Sequence, residues 1–178
     1  MNPFEFFIPQ NIIVGAGTLV RLPECAQKLG GTHAMLLSGP TLRKMGIVDK
    51  AAKYLEDAGM KVDIFTEIEA NPSVTTVEKA TTAFKEAGAD FIVALGGGSP
   101  MDVAKAVGVT AKYGGSITEY EGAHKVPGKI IPLIAIPTTA GTGSEVTAFS
   151  VITDHSRDYK LTVFSYKLFP SYAILDPE

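Results

Sequence analysis

The 178-residue chain has the composition of a folded domain, with 46% apolar, 20% charged and 8% aromatic residues. A domain of this length buries roughly 70% of the surface of its unfolded chain, so folding requires neither a disulfide nor a metal. Its 16 Lys and Arg and 19 Asp and Glu give a net charge of −3 with no basic block, which argues against nucleic acid as a partner.

The start of the chain and its cysteine content indicate the cellular compartment in which the protein works. MNPFEFFIPQ has no positive charge before its apolar residues and contains Glu5 and Pro9, unlike a signal peptide. No stretch approaches the roughly 18 uninterrupted apolar residues of a membrane span. The single cysteine, Cys25, falls in a predicted helix and has no partner for an intramolecular disulfide. We therefore expect a cytoplasmic protein without a membrane partner.

Apolar strands and amphipathic helices alternate through the first two thirds of the chain. Glycines at the ends of the helices, such as Gly30, Gly59 and Gly88, support their boundaries. In chain order the predicted elements are the strand FEFFIPQNIIV, the helix TLVRLPECAQKLG, the strand HAMLLSG, the helix TLRKMGIVDKAAKYLEDAG, the strand KVDIFTEI, the helix NPSVTTVEKATTAFKEAG, the strand ADFIVAL and the helix SPMDVAKAVGVTAKY.

The last third of the chain contains more loop and β structure. IIPLIAIP is a predicted buried strand, a β-hairpin turns at 155–158, and a short strand covers 172–175. Parallel strands need long crossovers, which the helices supply. The predicted fold is therefore α/β: one domain over 1–178, with an open, mostly parallel sheet, helices on both faces and a β-hairpin near the C-terminus.

Two glycine-rich loops follow buried strands. In LGGGSPMD, Gly96, Gly97 and Gly98 let the backbone approach a ligand, and Ser99 opens a helix whose positive end attracts anions. In PTTAGTGSEVT, several hydroxyls are suited to ribose or phosphate. The first loop is neither G-x-G-x-x-G nor a P-loop, and alone it also fits a plain turn. Two such loops at the carboxyl edge of a parallel sheet favour a phosphate-containing ligand.

These loops, together with NPSVTTV and an N-terminal F-x-x-P followed by G-A-G, resemble the iron-containing (group III) alcohol dehydrogenase family over essentially all 178 residues. The resemblance implies a dehydroquinate synthase-like N-terminal domain that binds NAD or NADP. It also implies a C-terminal helical domain, absent from this chain, that binds iron or zinc. The implied activity of the whole enzyme is hydride transfer between an alcohol and an aldehyde or ketone. We expect the isolated chain to bind cofactor without turnover.

The resemblance also implies which residues contact the cofactor. They are Gly97, Gly98 and Ser99 at the pyrophosphate, with Gly96 before them, Asp102 in the following helix and Asn71 at the same crevice; Thr138 and Thr139 at the adenine and ribose; Thr142, Ser144 and Val151 at the nicotinamide; Lys160 at a ribose or phosphate; and Gly39 after the second strand.

Three of these residues also fit ordinary structural roles. Asp102 fits a helix-stabilising acid, Asn71 a helix N-cap ahead of Pro72, and Lys160 a solvated strand residue.

Gly39 bears on the choice of cofactor. By the resemblance it stands where NAD-preferring members carry an acidic residue that bonds the ribose 2′-OH and repels a 2′-phosphate. Thr41, Arg43 and Lys44 follow closely. We therefore expect NADP to be at least tolerated.

The metal ligands of the family, one Asp and three His, are expected to lie beyond this chain. His33, His124 and His155 do not show ligand spacing, and Asp176 belongs to the motif before the helical domain. Two alternatives stay open: a non-catalytic nucleotide-binding or scaffold module from a truncated gene, and a glycerol dehydrogenase-like enzyme of the same fold. The face on which a helical domain would dock leads us to expect a homo-oligomer.

Overall fold

The computed structural model describes residues 8–178, so the beginning of the predicted first strand, 4–7, lies outside the described residues. The strands are β1 Asn11–Val14, β2 His33–Ser38, β3 Lys61–Phe65, β4 Phe91–Gly96, β5 Gly122–Ala123, β6 Leu133–Pro137, β7 Phe149–Asp154, β8 Tyr159–Phe164 and β9 Tyr172–Leu175. The helices are α1 Leu22–Lys28, α2 Pro40–Lys44, α3 Ile47–Asp57, α4 Val74–Ala87 and α5 Gly98–Tyr113. Short 3-10 turns cover Thr18–Arg21, Ile117–Tyr120, Ser144–Val146 and Tyr166–Leu168.

Six strands form one parallel sheet in the order β1-β9-β6-β4-β2-β3. The predicted hairpin is the antiparallel pair of β7 and β8, and β5 adds to it to make a second, three-stranded sheet. The predicted α/β fold with a parallel sheet and a hairpin is confirmed. No helix in the described part of the chain is long and apolar enough to cross a bilayer.

The large sheet separates two apolar cores. Along β2, Met35 and Leu37 join the core formed with α4 and α5, whereas Ala34 and Leu36 join the core formed with α1 and α3. Successive side chains of a strand point to opposite faces, so a strand covered on both sides must be apolar throughout. This requirement explains the continuous apolar runs of the sequence and confirms the prediction of helices on both faces.

The predicted single helix over 41–59 is wrong, because the chain forms two helices there. α2 ends at Lys44 and α3 begins at Ile47, with Gly46 between them at φ 77°. A backbone in this left-handed region interrupts the helix and favours glycine. Met45, which one continuous helix would place on the same apolar face as Val48 and Ala52, is 64% exposed as a result.

The crossovers place a crevice at one edge of the sheet. After β2 the chain passes to the face covered by α3, and after β4 it passes to the opposite face, covered by α5. The two connections therefore diverge, which opens a crevice at the carboxyl ends of adjacent strands, the usual ligand position in open α/β sheets. Gly39 and Gly97 lie on the two sides of this crevice.

Asp176 ties the end of β9 to the beginning of the fold. Its carboxylate accepts hydrogen bonds from the backbone N–H groups of Gly17 at 2.9 Å, Leu19 at 2.8 Å and Glu178 at 3.1 Å. Burial opposes ionisation, but the backbone hydrogen bonds outweigh it and hold the pKa of Asp176 below its ordinary value. Both carboxylate oxygens are therefore used to fix the turn after β1.

We predict that Asp176→Asn lowers the free energy of unfolding at neutral pH, because the amide has one acceptor oxygen in place of two. A carboxylate with a depressed pKa in the folded state stabilises the protein above its unfolded pKa of about 4. That contribution is lost as the pH falls through the folded pKa. Urea denaturation from about pH 7 to pH 3 should therefore show the difference between wild type and D176N shrinking toward acid.

The control is Asp158→Asn, which changes the charge equally at a residue with φ 48°, a conformation that Asn tolerates. A difference in the free energy of unfolding between wild type and D176N that does not change with pH would contradict this role of Asp176.

Candidate functional site

A cleft of about 310 Å³ lies at the carboxyl edge of the sheet, where the connections diverge. Its walls come from the loops after β2, β3, β4 and β6. The lining residues are Gly39, Thr41, Leu42, Ile68, Glu69, Ala70, Gly96, Gly97, Gly98, Ser99, Pro100, Thr138 and Thr139.

A second cleft of about 520 Å³ adjoins the first and extends to the ends of β1 and β9. Thr138 and Thr139 line both clefts. We call the two clefts together the groove.

The glycine loop permits backbone contacts that other residues would prevent. Gly96 has φ 148°, and a Cβ there would lie 2.8 Å from Pro100 Cγ. A Cβ on Gly97 would lie 3.2 Å from Thr139 Oγ1. At Gly98, by contrast, a Cβ would meet only Thr142 carbon atoms, at an ordinary 3.8 Å and more. The fold thus accounts for the first two glycines but not for the third.

The N-terminus of α5 presents a positive end to the cleft. Gly97 is its N-cap and has no side chain to accept a hydrogen bond from the first turn, which also contains no acidic residue. The first N–H groups of a helix lack intrahelical partners and carry about half a positive charge between them. A phosphate fits this position, since its oxygens accept from backbone N–H groups.

Glu69 is a lining residue that no motif in the sequence marked. Its Oε1 accepts hydrogen bonds from Ser73 N at 2.9 Å and Thr76 Oγ1 at 2.7 Å. Burial opposes its ionisation, yet these hydrogen bonds hold the pKa of Glu69 below its ordinary value. Ser73 is also the N-cap of α4, so the alternative that made Asn71 the N-cap is wrong.

Asn71 and Lys160 form a pair beside the groove. Lys160 Nζ donates to Asn71 Oδ1 at 2.8 Å, and Thr153 Oγ1 donates to the Asn71 carbonyl at 3.2 Å. Asn71 has φ 54°, in the left-handed region that Asn tolerates better than most residues. These contacts join the loop after β3 to the hairpin. Lys160 is exposed, which agrees with its alternative role as a solvated strand residue, but its ammonium group is hydrogen-bonded to Asn71.

Asp102 and Ser144 meet behind the groove. Ser144 Oγ donates to Asp102 Oδ1 at 2.7 Å, and the backbone N–H of Val151 donates to Asp102 Oδ2 at 3.2 Å. Burial raises the pKa of Asp102, while the hydrogen bond from Ser144, the charge of Lys105 and the bond from Val151 oppose the rise. Asp102 therefore faces residues 138–144, which we call the threonine loop, and β7 rather than solvent.

Lys105 was missed by sequence reasoning although the signal was present. Its side chain is fully buried, and burial lowers its pKa to about 8 against the opposing charges of Asp102 and Glu145. Lysine is almost never fully buried without partners. A lysine inside MDVAKAVGVT, a stretch in which most residues are apolar, is the signal from which a buried polar network could have been predicted.

The structure places the predicted cofactor residues at four positions in and around the groove. Those that line the groove are Gly39, Gly96, Gly97, Gly98, Ser99, Thr138 and Thr139. Thr142 lies over Gly98, and Asp102, Ser144 and Val151 form the network behind it. Asn71 and Lys160 form the pair beside it. Their role in binding a cofactor stays a prediction.

The residues described do not fit the iron that the resemblance implies. Within residues 8–178, no group of three or more His, Cys, Asp or Glu side chains is placed to hold a metal ion. We therefore assign no metal chemistry to this part of the chain.

Comparison with known proteins agrees with the resemblance. A family model described as iron-containing alcohol dehydrogenase matches residues 9–177. The NAD-dependent methanol dehydrogenase of Bacillus methanolicus is 38% identical, covering 98% of this chain and 46% of that protein. The NADPH-dependent butanol dehydrogenase of Clostridium saccharobutylicum is 37% identical, with 98% and 45% covered. A crystal structure of 1,3-propanediol oxidoreductase has a TM-score of 0.95 at 37% identity, covering 99% of this chain and 46% of that one.

The chain thus spans about half the length of the curated relatives it matches. The family match extends over nearly the whole chain and includes both loops of the groove. This chain belongs to the iron-containing alcohol dehydrogenase family.

Proposed function

We propose that the groove binds NAD or NADP and that this chain is the cofactor-binding half of a metal-dependent alcohol dehydrogenase. The observation that carries the proposal is the glycine loop at the N-terminus of α5, directly opposite Thr139. Relatives named as NAD-dependent and NADPH-dependent dehydrogenases support it.

The residues of the groove suit the parts of a dinucleotide. The N–H groups of the first turn of α5 and the hydroxyl of Ser99 would hold the pyrophosphate. Thr138 and Thr139 offer hydroxyls to the ribose, and Gly39 leaves room beside the adenine ribose. When bound, the nicotinamide supplies the carbon that accepts or donates hydride, and the protein binds and orients it.

The substrate of the whole enzyme is proposed only as a class. The relatives are named for alcohols, among them methanol and butanol, so a small alcohol or aldehyde is the substrate that the family resemblance supports.

We predict that Gly98→Ala weakens NADH binding at least about tenfold, equivalent to about 1.4 kcal/mol. The new methyl group would make only ordinary contact with Thr142, so the thermal stability of the chain should not fall. It would, however, stand where the pyrophosphate approaches the helix. Fluorescence titration and thermal denaturation measure the two effects separately.

The matched control is Gly108→Ala in the same helix, where the Cβ would lie 3.0 Å from Ile130 Cδ1. This variant should lose stability through overpacking and keep its affinity. If G98A binds NADH as tightly as wild type, the glycine loop is not the pyrophosphate site.

We further propose that NADP is accepted. Gly39 places no carboxylate at the crevice, and Thr41 adds a hydroxyl to its wall. Arg43 is paired with Asp49 at 3.1 Å, so a 2′-phosphate would compete with that carboxylate for the guanidinium.

NADPH should therefore bind no more than about a hundredfold more weakly than NADH. Gly39→Asp should shift the preference toward NADH, since a Cβ there meets only the Ile68 carbonyl at 3.5 Å and the added charge repels the 2′-phosphate. Titrating wild type and G39D with NADH and with NADPH gives the ratio of the two dissociation constants for each protein. A wild-type preference for NADH beyond a hundredfold, or an unchanged ratio in G39D, would count against this proposal.

We also propose that the isolated chain does not catalyse alcohol oxidation. Its support is that the described residues offer no metal-binding group, while relatives in the match are about twice as long. Incubation with NAD⁺, a small alcohol and added Fe²⁺ or Zn²⁺ should give no NADH above background. Turnover by protein free of any longer form would refute this.

A further inference from the structure

Lys105 is buried at a place where an apolar side chain would be expected. It lies in the second turn of α5, is 0% exposed, and is flanked by the buried residues Ala104 and Ala106. Replacing a buried charge by a well-packed apolar residue is often neutral or stabilising. Stability of the helix therefore gives no reason for a lysine at this position.

The ammonium group has an acceptor for each of its three protons. Lys105 Nζ donates to Ser144 Oγ at 3.2 Å, to Thr147 Oγ1 at 3.3 Å and to the Phe149 carbonyl at 2.8 Å. All three acceptors belong to the stretch 144–149, which runs from the end of the threonine loop to the first residue of β7. One side chain thus holds this whole stretch against α5.

Asp102 adds contacts from the same helix. Its carboxylate accepts from Ser144 Oγ and Val151 N, and its backbone carbonyl accepts from Ser150 Oγ at 2.7 Å. The first two turns of α5 are therefore bound to 144–151 through the side chains of Asp102 and Lys105. The same helix begins at Gly98, the proposed pyrophosphate contact.

The threonine loop depends on its two ends for its position. Gly141 at φ 88° and Gly143 at φ 66° make its backbone permissive, and residues 138–142 are largely exposed. The loop begins where Thr138 N donates to the Gly96 carbonyl at 2.9 Å. It ends at Ser144, a partner of Lys105.

We propose that Lys105 is a positioning residue for dinucleotide binding: it fixes the far end of the threonine loop and so keeps Thr139 and Thr142 opposite the glycine loop. It acts without touching the nucleotide. This inference rests on the proposed function of the groove.

The test compares Lys105→Met with wild type in the 178-residue chain, using NADH as the probe. Methionine has a similar length and no proton to donate, so the loop should spend less time in the competent position. If that fraction falls to about a tenth, the apparent dissociation constant rises about tenfold. Far-UV circular dichroism checks that K105M retains its secondary structure.

The matched control is Thr110→Val in the same helix. Thr110 Oγ1 lies 2.6 Å from Thr81 Oγ1, is buried, and has no contact with the threonine loop among its hydrogen bonds. T110V should lose stability while NADH affinity stays unchanged. A loss of affinity in T110V equal to that in K105M would reduce Lys105 to a general stabilising role and overturn the proposal.

A second variant keeps the test decisive if K105M fails to fold. Thr147→Val removes one acceptor of the ammonium group and leaves the charge in place. It should weaken NADH binding on its own. Where K105M does fold, the losses of affinity in the double variant K105M/T147V should be less than additive, because both act through one contact. Wild-type affinity in T147V would contradict the proposal.

The pH profile supplies a readout that a purely structural residue would not change. The charged groups facing Lys105 are Asp102 on its own helix and Glu145 on the loop. Because burial lowers the pKa of Lys105 to about 8, the ammonium loses one donor proton above that pH, and NADH affinity should fall there in wild type but not in K105M. An identical profile in both proteins would contradict the proposal. Failure of wild type to bind either nucleotide would instead overturn the proposed function.

Discussion

The burial of α5 is the constraint on which the rest of the site depends. The helix packs against the large sheet on one side and against β7 and α4 on its other sides. Almost all of its residues from Pro100 to Thr110 are therefore buried. The chain must turn from β4, buried on both faces, into this buried helix within two residues. Only a glycine such as Gly96, at φ 148° and against Pro100, makes that passage possible. The open, positively charged helix end at the crevice is a consequence of this turn.

The same constraint explains the polar network behind the groove. A helix buried on all sides presents any polar side chain to its neighbours instead of to solvent. Asp102 and Lys105 therefore find their partners on the stretch that leads into β7. Fold and groove are coupled through these contacts, because the helix that completes the core also fixes the loop that faces the glycines.

Sequence periodicity predicted the architecture well, because each signal was local. The apolar run before Gly96 and the glycine at the end of α4 predicted a buried strand and a helix boundary that the structure confirms. The same reasoning joined α2 and α3 into one helix, since the apolar spacing continues across Gly46 and only its positive φ separates them.

The contacts between distant residues were not predictable in this way. Glu69 precedes the NPSVTTV motif, which gives no sign that Thr76 donates a hydrogen bond to it, and Lys105 reaches Phe149 across 44 positions. The family resemblance predicted the glycines and threonines of the two loops. It did not predict the contacts of Asp102 and Lys105 that join α5 to the end of the threonine loop. Such a connection depends on how α5 packs, which is a property of the whole fold.

The most direct measurement is hydrogen–deuterium exchange of the 178-residue chain with and without NADH or NADPH. Nucleotide binding should slow exchange at residues 96–102 and 138–144, with smaller changes on the outer faces of α1 and α3. No change with either nucleotide, or protection only outside the groove, would contradict the proposal that the glycine loop and the threonine loop bind the dinucleotide together.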